Sequence, residues 1–145
     1  MKQEERNLLL ADLSGRVPYG VEVQVTVNET IYDARVEAVF ADGTVYVENG
    51  RSVDAVDISE VKPYLQSLSE LTEKQYEEIL QLTRNSVSVS SDYFYDWHNC
   101  SKLSVDDVMI VIDYLNRNGI DYRDLFSKNL AIERPNSELI VHSSY

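Results

Sequence analysis

The side chains with the most obvious chemical potential lie in one short run, Asp96, His98 and Cys100. A neutral imidazole and a thiolate both bind zinc, but a structural zinc site needs about four protein ligands and a catalytic site about three. The other histidine, His142, lies near the end of the sequence. A Cys–His nucleophile pair requires hydrogen-bonding distance, which this spacing neither ensures nor excludes. We therefore interpret these residues as a loop histidine and a half-buried cysteine, and expect no metal site.

Pairs of carboxylates are the second candidate for chemistry. The pairs are Asp54 with Asp57, Glu77 with Glu78, and Asp106 with Asp107. Two carboxylates catalyse acid–base reactions only where a cleft moves their pKa values apart. Asp106 and Asp107 fall in the first turn of a predicted helix, where the helix dipole stabilises negative charge. The other pairs are typical of solvated surfaces. Since no nucleotide-binding, serine-hydrolase or zinc-protease motif is present either, we expect no enzymatic activity and no cofactor.

Aromatic residues crowd one segment, 93–97, which reads Tyr-Phe-Tyr-Asp-Trp. Tyrosine and tryptophan combine a large apolar ring with a polar group, so both are frequent anchors of protein interfaces. The alternative is that these rings cover the core, and the same choice applies to Tyr122 and Arg123. The candidate protein-interaction residues are Tyr93, Tyr95, Trp97, Tyr122 and Arg123.

The elements that must position these residues begin with a helix over Glu4–Leu13, which Gly15 ends. Alternating apolar residues then predict strands at 21–28, 32–40, 44–48, 52–58 and 61–65. In the second strand the predicted apolar face consists of Tyr32, Ala34, Val36, Ala38 and Phe40. Asp42-Gly43 and Asn49-Gly50 are turn dipeptides, and Pro63 restricts the last strand to an edge or a strand end.

Helices are predicted after residue 67, where the apolar period changes. The first begins at the capping box of Thr72 and Gln75 and extends to about residue 83. The second covers 105–115, with Ser104 as its N-cap and Asn118-Gly119 as its C-terminal stop, and a short third helix covers Tyr122–Ser127. The sequence therefore predicts a helical layer after the strands.

Together these elements predict an α+β fold. Five short strands joined by tight turns are typical of a small SH3-like antiparallel barrel, and an open meander covered by helices is the alternative. The predicted domains are an N-terminal helix plus barrel over 1–66, a helical extension packed on the barrel over 67–133, and a polar tail over 134–145.

Composition and charge narrow the classes of function. The chain has 13 basic and 25 acidic residues, a net charge of −12 that is spread evenly over both halves. Nucleic-acid binding requires clustered lysine and arginine, so the composition disfavours it. A single cysteine fits a reducing compartment, the longest apolar run, Val108–Ile112, is too short to span a bilayer, and no secretory signal is present. We expect a cytoplasmic protein without membrane contact.

Six stretches carry a resemblance to a known family: 16–21 (RVPYGV), 61–65 (VKPYL), 67–73 (SLSELTE), 113–116 (DYLN), 121–125 (DYRDL) and 129–133 (NLAIE). In this order they resemble an uncharacterised family of short proteins from gut Bacteroidales, often found in prophage-like or other mobile regions. The chain departs from the family pattern at Gln66, Asp124 and Phe126, where arginine, glycine and isoleucine are usual. The resemblance implies a genomic setting, but it assigns no biochemical activity to the chain.

These observations favour a noncatalytic protein-binding or accessory protein of a mobile element or prophage, with another protein as its partner. A nucleic-acid-associated small-barrel module is the alternative, which depends on analogy of fold alone. An enzyme with an unrecognised polar cleft is a third hypothesis, and it requires a pocket with convergent polar groups.

Overall fold

The computed structural model describes residues 1–83 and 105–134. The helices are α1 (Gln3–Arg16), α2 (Glu73–Leu82) and α3 (Val105–Arg117), with short 3-10 turns at Val17–Tyr19, Ile58–Glu60, Leu68–Glu70 and Phe126–Lys128. The strands are β1 (Glu22–Val27), β2 (Thr30–Val39), β3 (Thr44–Glu48), β4 (Val53–Asp57), β5 (Val61–Ser67), β6 (Ile120–Asp121) and β7 (Ile132–Glu133). The predicted α+β class is confirmed. None of the helices described is both long and apolar enough to cross a membrane.

The described residues form two compact units, one comprising 1–65 and 123–134, and one comprising 66–83 and 105–122. In the first unit the strand order is β4-β3-β2-β1-β5, with antiparallel neighbours, and β7 pairs in parallel with β5. In the second unit the last residues of β5 pair in parallel with β6. The sheet is therefore mostly antiparallel and unclosed. The prediction of five strands omits β6 and β7, which are too short for alternation to mark them.

Alternating valines build the core of the first unit. Val23 and Val25 of β1 and Val45 and Val47 of β3 are completely buried, and they pack in one cluster with leucines of α1. Because successive side chains of a strand point to opposite faces, the same strands turn their polar residues outward. The predicted alternation thus explains which face of the sheet meets the N-terminal helix.

A β-bulge at Glu37 corrects one part of the predicted pattern. Val36 pairs with Val47, but Ala38 pairs with Tyr46, so β2 has one extra residue at this point. The extra residue reverses the alternation beyond it. Ala38 and Phe40, expected on the apolar face with Val36, therefore lie on the outer face, and Phe40 is exposed.

The end of the first helix and the place of Pro63 also differ from expectation. Gly15 lies within α1, which continues to Arg16 and a 3-10 turn before Gly20 adopts a φ of +79°. Pro63 lies in a strand with partners on both sides, yet it pairs only with β1, because the pairing with β7 starts at Tyr64. At Pro63 itself the strand has a free side, which accommodates a residue without an N–H group.

The predicted helix over Tyr122–Ser127 is wrong. Asp121, its expected cap, pairs in β6, and only Phe126–Lys128 form a 3-10 turn. Asp124 has a φ of +59°, a left-handed conformation that interrupts a right-handed helix.

The second unit is organised by α2 and α3 around Ile79, Tyr114 and Leu115. The predicted capping box of α2 is confirmed, because Gln75 N donates to Thr72 Oγ1 at 3.2 Å and Thr72 N donates to Gln75 Oε1 at 2.9 Å. The predicted cap Ser104 lies outside the described residues. α3 ends at Arg117, followed by Gly119 with a φ of +65°, so the predicted glycine termination is confirmed.

Candidate protein-interaction surface

The predicted interaction residues Tyr93, Tyr95 and Trp97 lie outside the part of the chain that the structure describes. The same is true of His98 and Cys100, the histidine and cysteine considered above as possible metal ligands or nucleophiles. The roles assigned to these residues from sequence stay predictions.

Tyr122 and Arg123, the remaining candidates, make internal contacts and are half-buried. The Tyr122 hydroxyl donates to Asn116 Oδ1 at 2.9 Å, and its ring packs on the core of the second unit. Arg123 belongs to the first unit, where its Nε lies 3.4 Å from Asp12 Oδ1. These contacts give each residue a structural role within its own unit.

Asp12 and Arg16 form a fully buried ion pair one turn apart on α1. Arg16 Nε and Nη2 donate to the two carboxylate oxygens of Asp12 at 2.8 and 3.0 Å, and neither residue is accessible to solvent. Bidentate bonding satisfies a carboxylate that water cannot reach. Arg16, the arginine of the RVPYGV stretch, is therefore engaged by a contact inside the first unit.

The outer face of the sheet carries an exposed aromatic pair, Phe40 and Tyr46. The rings lie edge to face, with centroids 4.8 Å apart and planes inclined at 64°. They are 42% and 40% exposed. The cross-strand neighbours of Tyr46 are Ala38 of β2 and Ala55 of β4. Because both neighbours are small, the residues opposite Tyr46 leave its ring open to solvent.

Val53 extends this apolar surface along β4 and is 58% exposed. It shares the outer face with Ala55, because residues two apart in a strand point to the same side. We call Phe40, Tyr46, Val53 and Ala55 the outer aromatic patch. Exposed aromatic side chains surrounded by small apolar residues are typical anchors of protein interfaces.

Sequence patterns identify only part of this patch. Tyr46 lies between Val45 and Val47, so strict alternation alone places it on the outer face. Phe40 has no comparable signal, because the bulge at Glu37 is what moves it outward. Its exposure was therefore missed.

Elsewhere on the outer face, three polar side chains bond to one another. Tyr64 Oη donates to Asp33 Oδ1 at 2.6 Å, and it accepts a hydrogen bond from Gln24 Nε2 at 3.5 Å. These residues come from three adjacent strands, β2, β1 and β5, so they connect the sheet across its outer surface. This part is an ordinary solvated face, and the outer aromatic patch differs from it in composition.

The predicted carboxylate pair on β4 does not converge. Asp54 accepts a hydrogen bond from Tyr32 Oη at 3.3 Å. Asp57 binds Arg6 through two hydrogen bonds of 2.7 and 3.2 Å, and it caps the following 3-10 turn at Ser59 N. The Arg6 guanidinium, together with the hydrogen bonds from Ser59, lowers the pKa of Asp57. Since each carboxylate has separate partners, the pair forms no acid–base site.

The second unit contains an open cleft of about 350 Å³. Its lining residues are Glu78, Gln81, Leu82, Tyr114, Arg117 and Asn118. Tyr114 Oη donates to Glu78 Oε1 at 3.0 Å, and burial of the phenol beside Glu78 raises the pKa of Tyr114. The hydroxyl therefore stays protonated and engaged with a carboxylate, which does not support a nucleophile or base in this cleft.

Within residues 1–83 and 105–134, no group of three or more histidine, cysteine, aspartate or glutamate side chains is placed to hold a metal ion. Comparison with known proteins gives no match to a family model, a curated protein or a solved structure. Function must therefore be inferred from the contacts and charges of the molecule itself.

Proposed function

We propose that this protein is a noncatalytic binding protein whose first unit presents the outer aromatic patch to a basic partner protein. The observation that carries the proposal is the exposed pair of Phe40 and Tyr46 on a sheet whose opposite face is packed against α1. Both rings leave apolar area in contact with water in the free protein. A partner that covers them removes that area from water, which favours association.

We also infer that the first unit is a small SH3-like barrel with an open side. β1 pairs with both β2 and β5, which brings the first and last of the five longer strands side by side. The 3-10 turn Ile58–Glu60 makes a tight connection between β4 and β5. Small barrels of this kind often serve as binding modules, although fold alone assigns no function.

Charge favours a protein partner over a nucleic acid. The chain carries a net charge of −12, and phosphate binding requires the opposite sign. The hairpin of β3 and β4 contains three acidic residues, Glu48, Asp54 and Asp57, and one basic residue, Arg51. Complementary charge increases association rates and excludes wrong partners, so the expected partner surface is basic around an apolar centre.

The resemblance to proteins of Bacteroidales mobile regions suggests the genetic element in which this binding protein acts. We propose an accessory function in a prophage or a similar element, in the cytoplasm. A partner encoded by the same element would support this setting, whereas a secreted or membrane-bound partner would contradict it.

The proposal is tested by isolating a partner from a host and measuring its affinity as a purified protein for defined variants. Phe40→Ser and Tyr46→Ser each remove one ring of the pair. If the rings are interface anchors, each change weakens binding by at least about thirtyfold, the size expected for a hot spot. Titration calorimetry with the purified partner gives this number directly.

Ile31→Ser is the matched control, because Ile31 is 62% exposed on β2 and lies outside the patch. It removes a similar apolar area and leaves affinity unchanged. Equal affinity for wild type, Phe40→Ser and Tyr46→Ser would remove the outer aromatic patch as the binding surface. A saturable, salt-sensitive complex with DNA or RNA would instead favour the nucleic-acid module.

A further inference from the structure

In the part of the chain that the structure describes, no strand pairs with β4 on the side that faces away from β3. Among the described residues β4 pairs only with β3, so it is the edge strand of the sheet. Such an edge offers unpaired N–H and C=O groups to another extended chain. Which residues carry these groups follows from the hydrogen-bond register of the β3–β4 hairpin.

Two backbone bonds bracket the hairpin: Asn49 N donates to Ser52 O at 3.3 Å, and Ile58 N donates to Gly43 O at 2.8 Å. In an antiparallel pair, residues that exchange hydrogen bonds alternate with residues that do not. The pairs Asn49–Ser52 and Gly43–Ile58 are therefore bonded, and so is every second pair between them. Asp54, opposite Val47, and Val56, opposite Val45, occupy these bonded positions.

Val53 and Ala55 are therefore the residues whose backbone groups point away from β3. Both residues are solvent-exposed. The next residue whose backbone points away from β3 is Asp57, and its N–H already donates to Glu60 Oε1 at 2.9 Å. The open edge thus offers four backbone groups, two donors and two acceptors, on Val53 and Ala55, spaced for an added strand.

The side chains beside this edge specify the chemistry of the occupant. Val53 and Ala55 belong to the outer aromatic patch, so residues of an added strand on that face meet apolar neighbours. On the other face lies Asp54, which accepts hydrogen bonds from Tyr32 Oη at 3.3 Å and from Ser52 Oγ at 3.4 Å and forms no ion pair within the described residues. An occupant with alternating apolar and basic residues matches both faces.

A second copy of this chain is a poor occupant. Two copies would each bring a net charge of −12 to the same contact. β4 itself, Val-Asp-Ala-Val-Asp, has no basic residue to meet Asp54 of the other copy. Coulomb repulsion and the absence of a cation on the facing strand both oppose self-pairing.

We propose that β4 receives an extended segment of the partner protein as an additional strand, with apolar residues on the outer aromatic patch and alternate basic residues beside Asp54. This inference rests on the proposed function, since it describes how the same partner is engaged. Main-chain hydrogen bonds to Val53 and Ala55 would hold the segment, and side chains would select it.

The test uses the full chain and the capped peptide acetyl-Val-Lys-Val-Lys-Val-Lys-amide as the probe, followed by amide hydrogen exchange. In the free protein the amides of Val53 and Ala55 exchange rapidly, whereas those of Asp54 and Val56 are protected by β3. Saturating peptide is expected to slow exchange at Val53 and Ala55 by at least about tenfold. Unchanged exchange at both residues would overturn the proposal.

Two control peptides separate strand addition from unspecific attraction. A peptide of the same sequence with every backbone nitrogen methylated keeps its charge but loses the main-chain donors of both edges, so it is expected to give no protection. A valine–glutamate peptide keeps the backbone but reverses the charge, and it binds at least about tenfold more weakly. Equal protection by the methylated peptide would contradict strand addition.

A variant of the protein gives the reciprocal test. Ala55→Pro removes an N–H group that points away from β3, so the ladder to β3 is kept, as proline permits on an edge strand. Ala55→Ser is its control, with the backbone donor retained. The proline variant is expected to lose peptide protection at Val53, and the serine variant to keep it. Should Ala55→Pro fail to fold, the methylated peptide still decides.

The two proposals fail in different ways. If Tyr46→Ser abolishes binding of the purified partner while Ala55→Pro does not, the outer aromatic patch stands and strand addition is wrong. If neither variant changes that affinity, the patch itself is wrong. Concentration-dependent dimers in which Val53 and Ala55 are protected without peptide would assign the edge to a second copy and overturn the inference.

Discussion

The two faces of the sheet in the first unit use the same strands but differ in what covers them. On the inner face Val45 and Val47 are completely buried with leucines of α1. On the outer face Tyr46, which lies between them in sequence, is 40% exposed and touches Phe40. The larger and more interface-prone side chains therefore face solvent, and the smaller valines form the core.

This contrast shows that residue type does not assign a side chain to the core. Position along the strand decides first, because alternation sends neighbours to opposite faces. A single inserted residue decides next, since the bulge at Glu37 carries Phe40 to the side of Tyr46. The inner face is expected to determine stability and the outer face to determine binding.

The largest effect is expected on the buried side, at the ion pair of α1. Asp12→Ala leaves the guanidinium of Arg16 inside the protein without its bidentate carboxylate. Removing one member of a buried pair usually costs about 3–5 kcal/mol of the free energy of unfolding. Urea denaturation followed by circular dichroism measures this loss.

The control for Asp12→Ala is Ser14→Ala on the exposed side of α1, which is expected to change stability by less than about 0.5 kcal/mol. A loss below about 1 kcal/mol for Asp12→Ala would show that the pair is not important for stability. The expected difference in stability between substitutions on the buried side and on the exposed side would then be smaller.

A matched pair of neighbouring residues compares the faces directly. Val45→Ala removes buried apolar carbons and leaves a cavity, so it is expected to lower the free energy of unfolding by about 2–3 kcal/mol. Tyr46→Ser removes a larger side chain, yet one already exposed, and is expected to cost less than about 1.5 kcal/mol. Denaturant midpoints of both variants check the order. A greater loss for Tyr46→Ser would invert the assignment of the two faces.

The smallest effect is expected at the exposed ion pair of Arg6 and Asp57. The pKa of Asp57 is lowered in the folded chain, so the unfolded chain takes up the proton at higher pH. The pair therefore contributes above the ordinary aspartate pKa of about 4 and loses its contribution as the pH falls below it. Asp57→Asn, which keeps a capping side chain, is expected to cost at most about 1 kcal/mol because solvent screens the pair.

Denaturation of wild type and Asp57→Asn at neutral pH and near about pH 2 checks this sign. The stability difference between the two proteins is expected to shrink at the acidic pH. A difference that stays constant would show that the charge of Asp57 does not contribute. Asp54→Asn serves as the comparison, because Asp54 has a hydroxyl partner rather than a guanidinium.

Individual strands and helices could be located from local sequence patterns. Alternating valines placed β1 and β3, glycine-containing turns placed the hairpins, and the capping box of Thr72 and Gln75 placed the start of α2. These features depend on neighbours in the chain, since side-chain direction and capping bonds are set within a few residues. Tyr46 on the outer face belongs to the same class.

Features that depend on residues distant in the chain could not be read from local patterns. The bulge that exposes Phe40 is defined by the pairing of β2 with β3, and the short strand β7 is defined by its pairing with Tyr64 and Leu65 of β5. The burial of Asp12 with Arg16 depends on α1 covering the inner face. Within residues 1–83 and 105–134 the edge position of β4 is of the same kind, because local sequence does not encode which strands become neighbours.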